Sequence, residues 1–154
     1  MMHPMPLGTL LLLCAALLWP GAASAQSPTA VLEAFGYFGR WAPDCSRSPV
    51  PGNPHMTVSK SPRGTIEVRN SLGPDYQDNV NILLDARSLG PDRVWIKTQL
   101  NNSELREWEV VRQAGRIRTF VNRKPDGTHI TRDGLVVASG NPTPWLNRCG
   151  GTSS

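Results

Sequence analysis

From His55 onward the apolar residues fall at every second position, and this period of two constrains the fold more than any other feature of the chain. Met56 and Val58 share a face, as do Ile66 and Val68, then Val80, Ile82, Leu84 and Ala86, then Val94, Ile96, Thr98 and Leu100. Each set predicts a half-buried strand, because successive side chains of a strand point to opposite sides. Segments 105–112, 116–123, 128–132 and 135–139 continue the series. Turn signals separate them: Arg63-Gly64, Gly90-Pro91-Asp92, Asn101-Asn102, Ala114-Gly115, Asp126-Gly127 and Asp133-Gly134. About eight short strands with almost no helix between them require antiparallel connections, so the predicted class is all-β, an antiparallel barrel or sandwich.

The chain before His55 reads differently. Leu10 to Trp19 is an apolar run of ten residues, followed by Pro20-Gly21 and Ala23-Ser24-Ala25. This pattern predicts a secretory signal peptide over residues 1–25, with Gln26 opening a single domain over 26–154. The run is shorter than the roughly twenty residues that span a bilayer, so no transmembrane anchor is expected after processing. The leader departs from the usual pattern in having His3 as its only basic side chain. Cys14 lies inside the apolar run with no small residues before it, which argues against lipidation there. Ser27-Pro28 followed by 29–35 predicts a short helix, with Ser27 as its cap and Gly36 as its end. Residues 45–54 carry three prolines, a glycine and an asparagine, and predict an ordered loop.

Of the three cysteines, only Cys45 and Cys149 remain after removal of the leader, and an oxidising compartment pairs them. Metal binding is the weaker reading, because His3, His55 and His129 are scattered and form no close ligand pair with the thiols. No metal and no cofactor are expected. The formal charge of +4, from 16 basic and 12 acidic residues, leaves anionic partners open and is also what solubility alone explains.

Catalysis has few candidates. A serine or cysteine nucleophile needs a histidine, and neither His55 nor His129 stands near a nucleophile motif. Asp44, Asp75, Asp78 and Asp85 could supply a carboxylate pair, but a chain with 12 acids allows many. Residues 75–81 cluster oxygen ligands yet lack the glycine and distal glutamate of a calcium loop. The repeat Ser71-Leu72-Gly73-Pro74-Asp75 and Ser88-Leu89-Gly90-Pro91-Asp92 reads as turn chemistry used twice rather than a duplicated ligand loop.

The outward faces of the strands are less ordinary. Trp95 alternates with Lys97, and Phe120 alternates with Arg116 and Arg118. Rings and cations on one face suit an anionic or small-molecule ligand through cation–π contact and charge-assisted hydrogen bonds. The alternative is that the short helix covers these rings or that arginine stems lie across them. Nucleic acid is not expected, since the chain leaves the cytoplasm.

Gly39-Arg40-Trp41, placed just before the strand series, resembles the opening of the lipocalins and related calycin barrels. The likeness implies a lipocalin-like barrel in which Trp41 sits at the closed base and Arg148 packs across it. Residues 41–45, 116–118, 133–134 and the ending Thr143-Pro144-Trp145-Leu146-Asn147-Arg148-Cys149 resemble small exported proteobacterial proteins. That likeness implies a periplasmic or secreted setting and carries no activity. The functional expectation is therefore an exported, non-catalytic binding protein. Its alternatives are an envelope module that binds a protein or polymer without a cavity and, more remotely, a hydrolase.

Overall fold

The computed structural model describes residues 26–150, so the leader read over 1–25 lies outside the described residues. Helix α1 (Pro28–Phe35) carries the capping chemistry read from the sequence. The Ser27 hydroxyl accepts the Ala30 N–H at 3.2 Å, and Gly36 ends the helix at φ 73°, where a side chain would be strained. Val31, Leu32 and Phe35 form its buried stripe. Full burial of a leucine such as Leu32 contributes about 2 kcal/mol, enough to hold a helix too short to persist alone.

Ten strands follow among the described residues: β1 (Gly39–Ala42), β2 (His55–Lys60), β3 (Ile66–Ser71), β4 (Asn79–Gly90), β5 (Arg93–Gln99), β6 (Leu105–Gln113), β7 (Arg116–Arg123), β8 (His129–Arg132), β9 (Leu135–Val136) and β10 (Asn147–Cys149). They form one antiparallel sheet that runs in sequence order from β1 to β9, with β10 returning to the free edge of β1. The sheet curls into a half-barrel, which removes the sandwich alternative. The expected count of about eight is corrected to ten by β1 and β10. These are four and three residues long; β10 is a strand because it pairs with β1, Trp41 opposite Arg148 and Ala42 opposite Asn147, while β1 also pairs with β2 on its other edge.

A second correction concerns the face of β4. Asn81 and Leu83 point inward, whereas Leu84 is exposed, the reverse of the predicted alternation. A bulge between Leu83 and Asp85 then shifts the phase, so Ala86 is buried as expected.

The chain ends meet in a clasp. Cys45 and Cys149 are joined by a disulfide, Asn147 Nδ2 donates to the Pro43 carbonyl at 2.7 Å, and the Arg148 guanidinium donates to the Phe38 carbonyl at 3.0 Å. Arg148 also lies 5.7 Å from the Trp41 ring centre, and the Trp41 indole N–H donates to the Tyr37 carbonyl at 2.9 Å. On its other side the C-terminal segment reaches β7: Leu146 and Ile117 exchange backbone hydrogen bonds at 3.0 and 2.8 Å. One short segment thus ties β7 to β1 and keeps the sheet curled.

Core side chains fill the concave side at one end, where α1 packs on β4 and β5. Val94 and Ile96 from β5, Val110 from β6 and Ile117 from β7 meet Leu32 and Phe35 there. Arg112 closes that end, donating to the Phe35 carbonyl at 2.8 Å and the Pro91 carbonyl at 2.9 Å.

Candidate functional site

Away from α1 the inward positions change character. Register places Thr98 opposite Arg106, Trp108 opposite both Ile96 and Asn122, Asn79 opposite Asn70, and Asn81 opposite Val68. Amides and a guanidinium therefore stand where a filled barrel would hold valine or leucine. Asn81, Thr98, Asn122 and Thr131 are all buried.

These groups surround a cavity of about 370 Å³ whose walls include Asn70, Gln77, Asn79, Asn81, Arg106, Trp108 and Asn122, with Leu72, Leu100 and Ile130 at its rim. A second space of about 130 Å³ adjoins it and shares Asn70, Asn81 and Trp108; its remaining walls are Tyr37, Met56, Val68, Ile96, Thr98, Thr119 and Leu146. The polar mouth thus leads toward a mainly apolar floor.

The polar atoms of the mouth are unevenly satisfied. The Trp108 indole N–H donates to the Thr98 hydroxyl at 2.8 Å, which fixes the ring. Arg106 pairs with Glu104 at 3.0 Å, and Lys124 stands 3.7 Å from the same carboxylate. The hydrogen bond from Arg106 holds the Glu104 carboxyl below its usual range. By contrast, Asn81 Oδ1, Asn122 Oδ1 and Arg106 Nε are buried and have no partner. Such a group costs about 1–3 kcal/mol when it has no partner of any kind, and an ordered water is one way to satisfy it. At the floor, the Tyr37 hydroxyl has only the Met56 sulfur, at 3.9 Å, and burial pushes its ionisation well above the ordinary phenol range. It remains a neutral donor.

The residues singled out from the sequence lie on the opposite, convex face. Trp95 stands between Arg87 and Glu109 on the neighbouring strands, with the Arg87 guanidinium 4.8 Å from its ring centre. Lys97 stands between Asp85 and Glu107. Phe120 lies under Arg93 at 4.6 Å, and Arg93 is ion-paired with Glu109. Arg116 and Arg118 both cover Trp145, at 5.3 and 4.7 Å. Arg118, Phe120 and Trp145 share an open groove of about 460 Å³, while Trp95, Lys97 and Arg116 are not among its walls. Each ring is covered by a guanidinium of this same chain, which is the arginine packing considered as the alternative.

His55 Nε2 lies 2.9 Å from the Arg47 carbonyl oxygen and 3.3 Å from Asn53 Nδ2, and His129 Nδ1 lies 3.2 Å from Arg132. Their neighbours are a carbonyl, an amide and a guanidinium, so neither is hydrogen-bonded to a nucleophile or a carboxylate. Asp44, Asp78 and Asp85 are held by Ser46, Arg69 and Arg87 respectively. Among the described residues no three His, Cys, Asp or Glu side chains gather as a metal site.

The amide mouth went unread in the sequence because its members are dispersed. A signal was nonetheless present: Asn70 and Thr98 sit two positions beyond Val68 and Ile96, on faces that were otherwise apolar. Comparison with protein-family models, with curated proteins and with solved structures finds no match.

Proposed function

We propose that this chain is an exported, non-catalytic binding protein that takes a small polar molecule into the mouth of its half-barrel. The observation that carries this reading is the convergence of five amides, Asn70, Gln77, Asn79, Asn81 and Asn122, with Arg106 and the Trp108 ring on one cavity of about 370 Å³. That volume is within the range of small-molecule sites, and a mouth of fixed polar groups above a mainly apolar floor is their usual construction. Trp41 under Arg148 agrees with the lipocalin likeness, whose members bind ligands inside a barrel. The disulfide agrees with a periplasmic or secreted setting, as does the leader pattern of residues 1–25.

A fragment screen read by NMR tests the reading. Ligands found on the native chain should perturb residues of β4, β6 and β7 around Asn81, Trp108 and Asn122, and Asn122→Leu should weaken them about tenfold. Perturbations confined to the convex face would contradict it.

A second reading is favoured by one observation. Arg116 and Arg118 have no carboxylate partner among the described residues, and Arg118 Nε is buried without an acceptor. On this reading the groove of Arg118, Phe120 and Trp145 meets an acidic segment of an envelope protein or an anionic polymer. The same screen separates the two, because that ligand would be lost in Trp145→Ala and kept in Asn122→Leu.

A further inference from the structure

We infer that the ligand of the interior mouth is a neutral, hydroxyl-rich molecule, a saccharide of one or two rings; this rests on the binding reading above and narrows it.

Charge comes first. Among the walls of the mouth Arg106 is the single ionisable side chain, and its guanidinium is already paired with Glu104 at 3.0 Å. Lys124 shares that carboxylate at 3.7 Å, so one cation of excess remains beside the mouth, but none of its walls carries a cation without a carboxylate partner, in contrast to Arg118 of the convex groove. A carboxylate or phosphate entering the mouth would be desolvated without a counter-charge of its own.

The pattern of donors and acceptors decides further. Asn81 and Asn122 bring amide donors and acceptors to the wall, and Arg106 brings guanidinium donors. An ionised carboxylate group can only accept, and a hydrocarbon can do neither. A hydroxyl does both on one atom. Asn70, Gln77 and Asn79 extend the same chemistry along the wall, and each amide sets an acceptor beside donors whichever way it is turned. Neighbouring hydroxyls on a sugar ring match such a wall; an isolated polar group does not.

Trp108 supplies the remaining component. Its N–H is engaged by Thr98 at 2.8 Å, so what the indole presents to the two adjoining spaces is apolar ring, held rigid. A sugar ring has the complementary character, with C–H groups on its faces and hydroxyls around its edge. A mouth that joins an immobilised indole to amides on the facing strands can use both.

Isothermal titration and NMR of the oxidised protein with six probes test the inference: glucose, N-acetylglucosamine and maltose as neutral sugars, glucuronate and inorganic phosphate as anions, and laurate as an apolar chain. At least one neutral sugar should bind, with Asn81→Leu and Asn122→Leu each weakening it about tenfold and Trp145→Ala leaving it unchanged. Asn70→Ala, less buried, gives a second route if either variant fails to fold. If glucuronate, phosphate or laurate binds and depends on Asn81 while the sugars do not, the saccharide assignment fails and the interior site stands. If none of the six binds, or binding depends on Trp145 alone, both fail.

Discussion

On the convex face, Trp95 lies under Arg87, Phe120 under Arg93 and Trp145 under Arg116 and Arg118, while Arg87 and Arg93 are further paired with Asp85 and Glu109. On the concave face of the same sheet, Asn81, Asn122 and Arg106 each keep a buried polar atom with no partner. Apart from Arg118, whose Nε is also buried without an acceptor, the outer rings and cations satisfy one another; the inner amides do not. A composition that looks ligand-like can therefore be self-complementary packing, whereas a buried group left without a protein partner, at about 1–3 kcal/mol if nothing else meets it, calls for a water, an ion or a ligand. The two faces should respond to substitution with opposite signs, and this is where the comparison can be broken.

The clasp holds both faces, so cutting it should have the largest effect. Cys45 and Cys149 are 104 positions apart, and loss of a cross-link over such a loop costs about 4–5 kcal/mol in the chain-entropy account. Denaturant unfolding with and without reductant measures it; equal midpoints would show that the C-terminal pairing holds without the bond. Arg93→Ala comes next, since it removes the cation over Phe120 and leaves Glu109, a carboxylate side chain only 18% exposed, without its partner. A loss of about 1–2 kcal/mol is expected, discounted for exposure. An unchanged Tm would mean that the outer pairs are incidental.

Two pH limbs sharpen the inner side. Burial raises the Tyr37 phenol, so the folded chain resists an ionisation that the unfolded chain undergoes near pH 10. Stability should be fully present below about pH 10 and fall as the pH rises beyond it, and Tyr37→Phe should flatten that fall. Glu104 has the opposite sign. Its carboxyl is lowered by the hydrogen bond from Arg106, so its contribution is present above about pH 4.3 and is lost as the pH falls through the lower value of the folded chain. Glu104→Gln should remove this smaller acid-side dependence, as read by Tm across the acid range.

Much of the architecture was legible because period two and turn chemistry are local. The helix from Ser27 to Gly36, the inward faces of β2, β3 and β5, and the Cys45–Cys149 bond follow from the residues themselves. What escaped was non-local. β10 exists only as the partner of residues more than 100 positions away, and β4 turns Asn81 and Leu83 inward against an alternation whose apolar set, Val80, Ile82 and Leu84, reads the other way, with a bulge restoring the phase at Ala86. The interior site escaped for a related reason. Asn70, Asn81 and Asn122 lie on three different strands, and a polar residue at an inward position reads as a break in a pattern until curling brings several together. The convex residues were conspicuous because ring and cation alternate within one strand, and sequence alone does not say which guanidinium covers which ring.

Thermal unfolding of the Asn81→Leu, Asn122→Leu double variant tests the central claim most directly. If these amides are kept for a ligand, replacing them with apolar side chains removes two unsatisfied groups and should leave the protein as stable as before or more stable by about 1–3 kcal/mol. A fall in Tm of comparable size would show that the amides support the fold, and the inner face would then be no different in kind from the outer one.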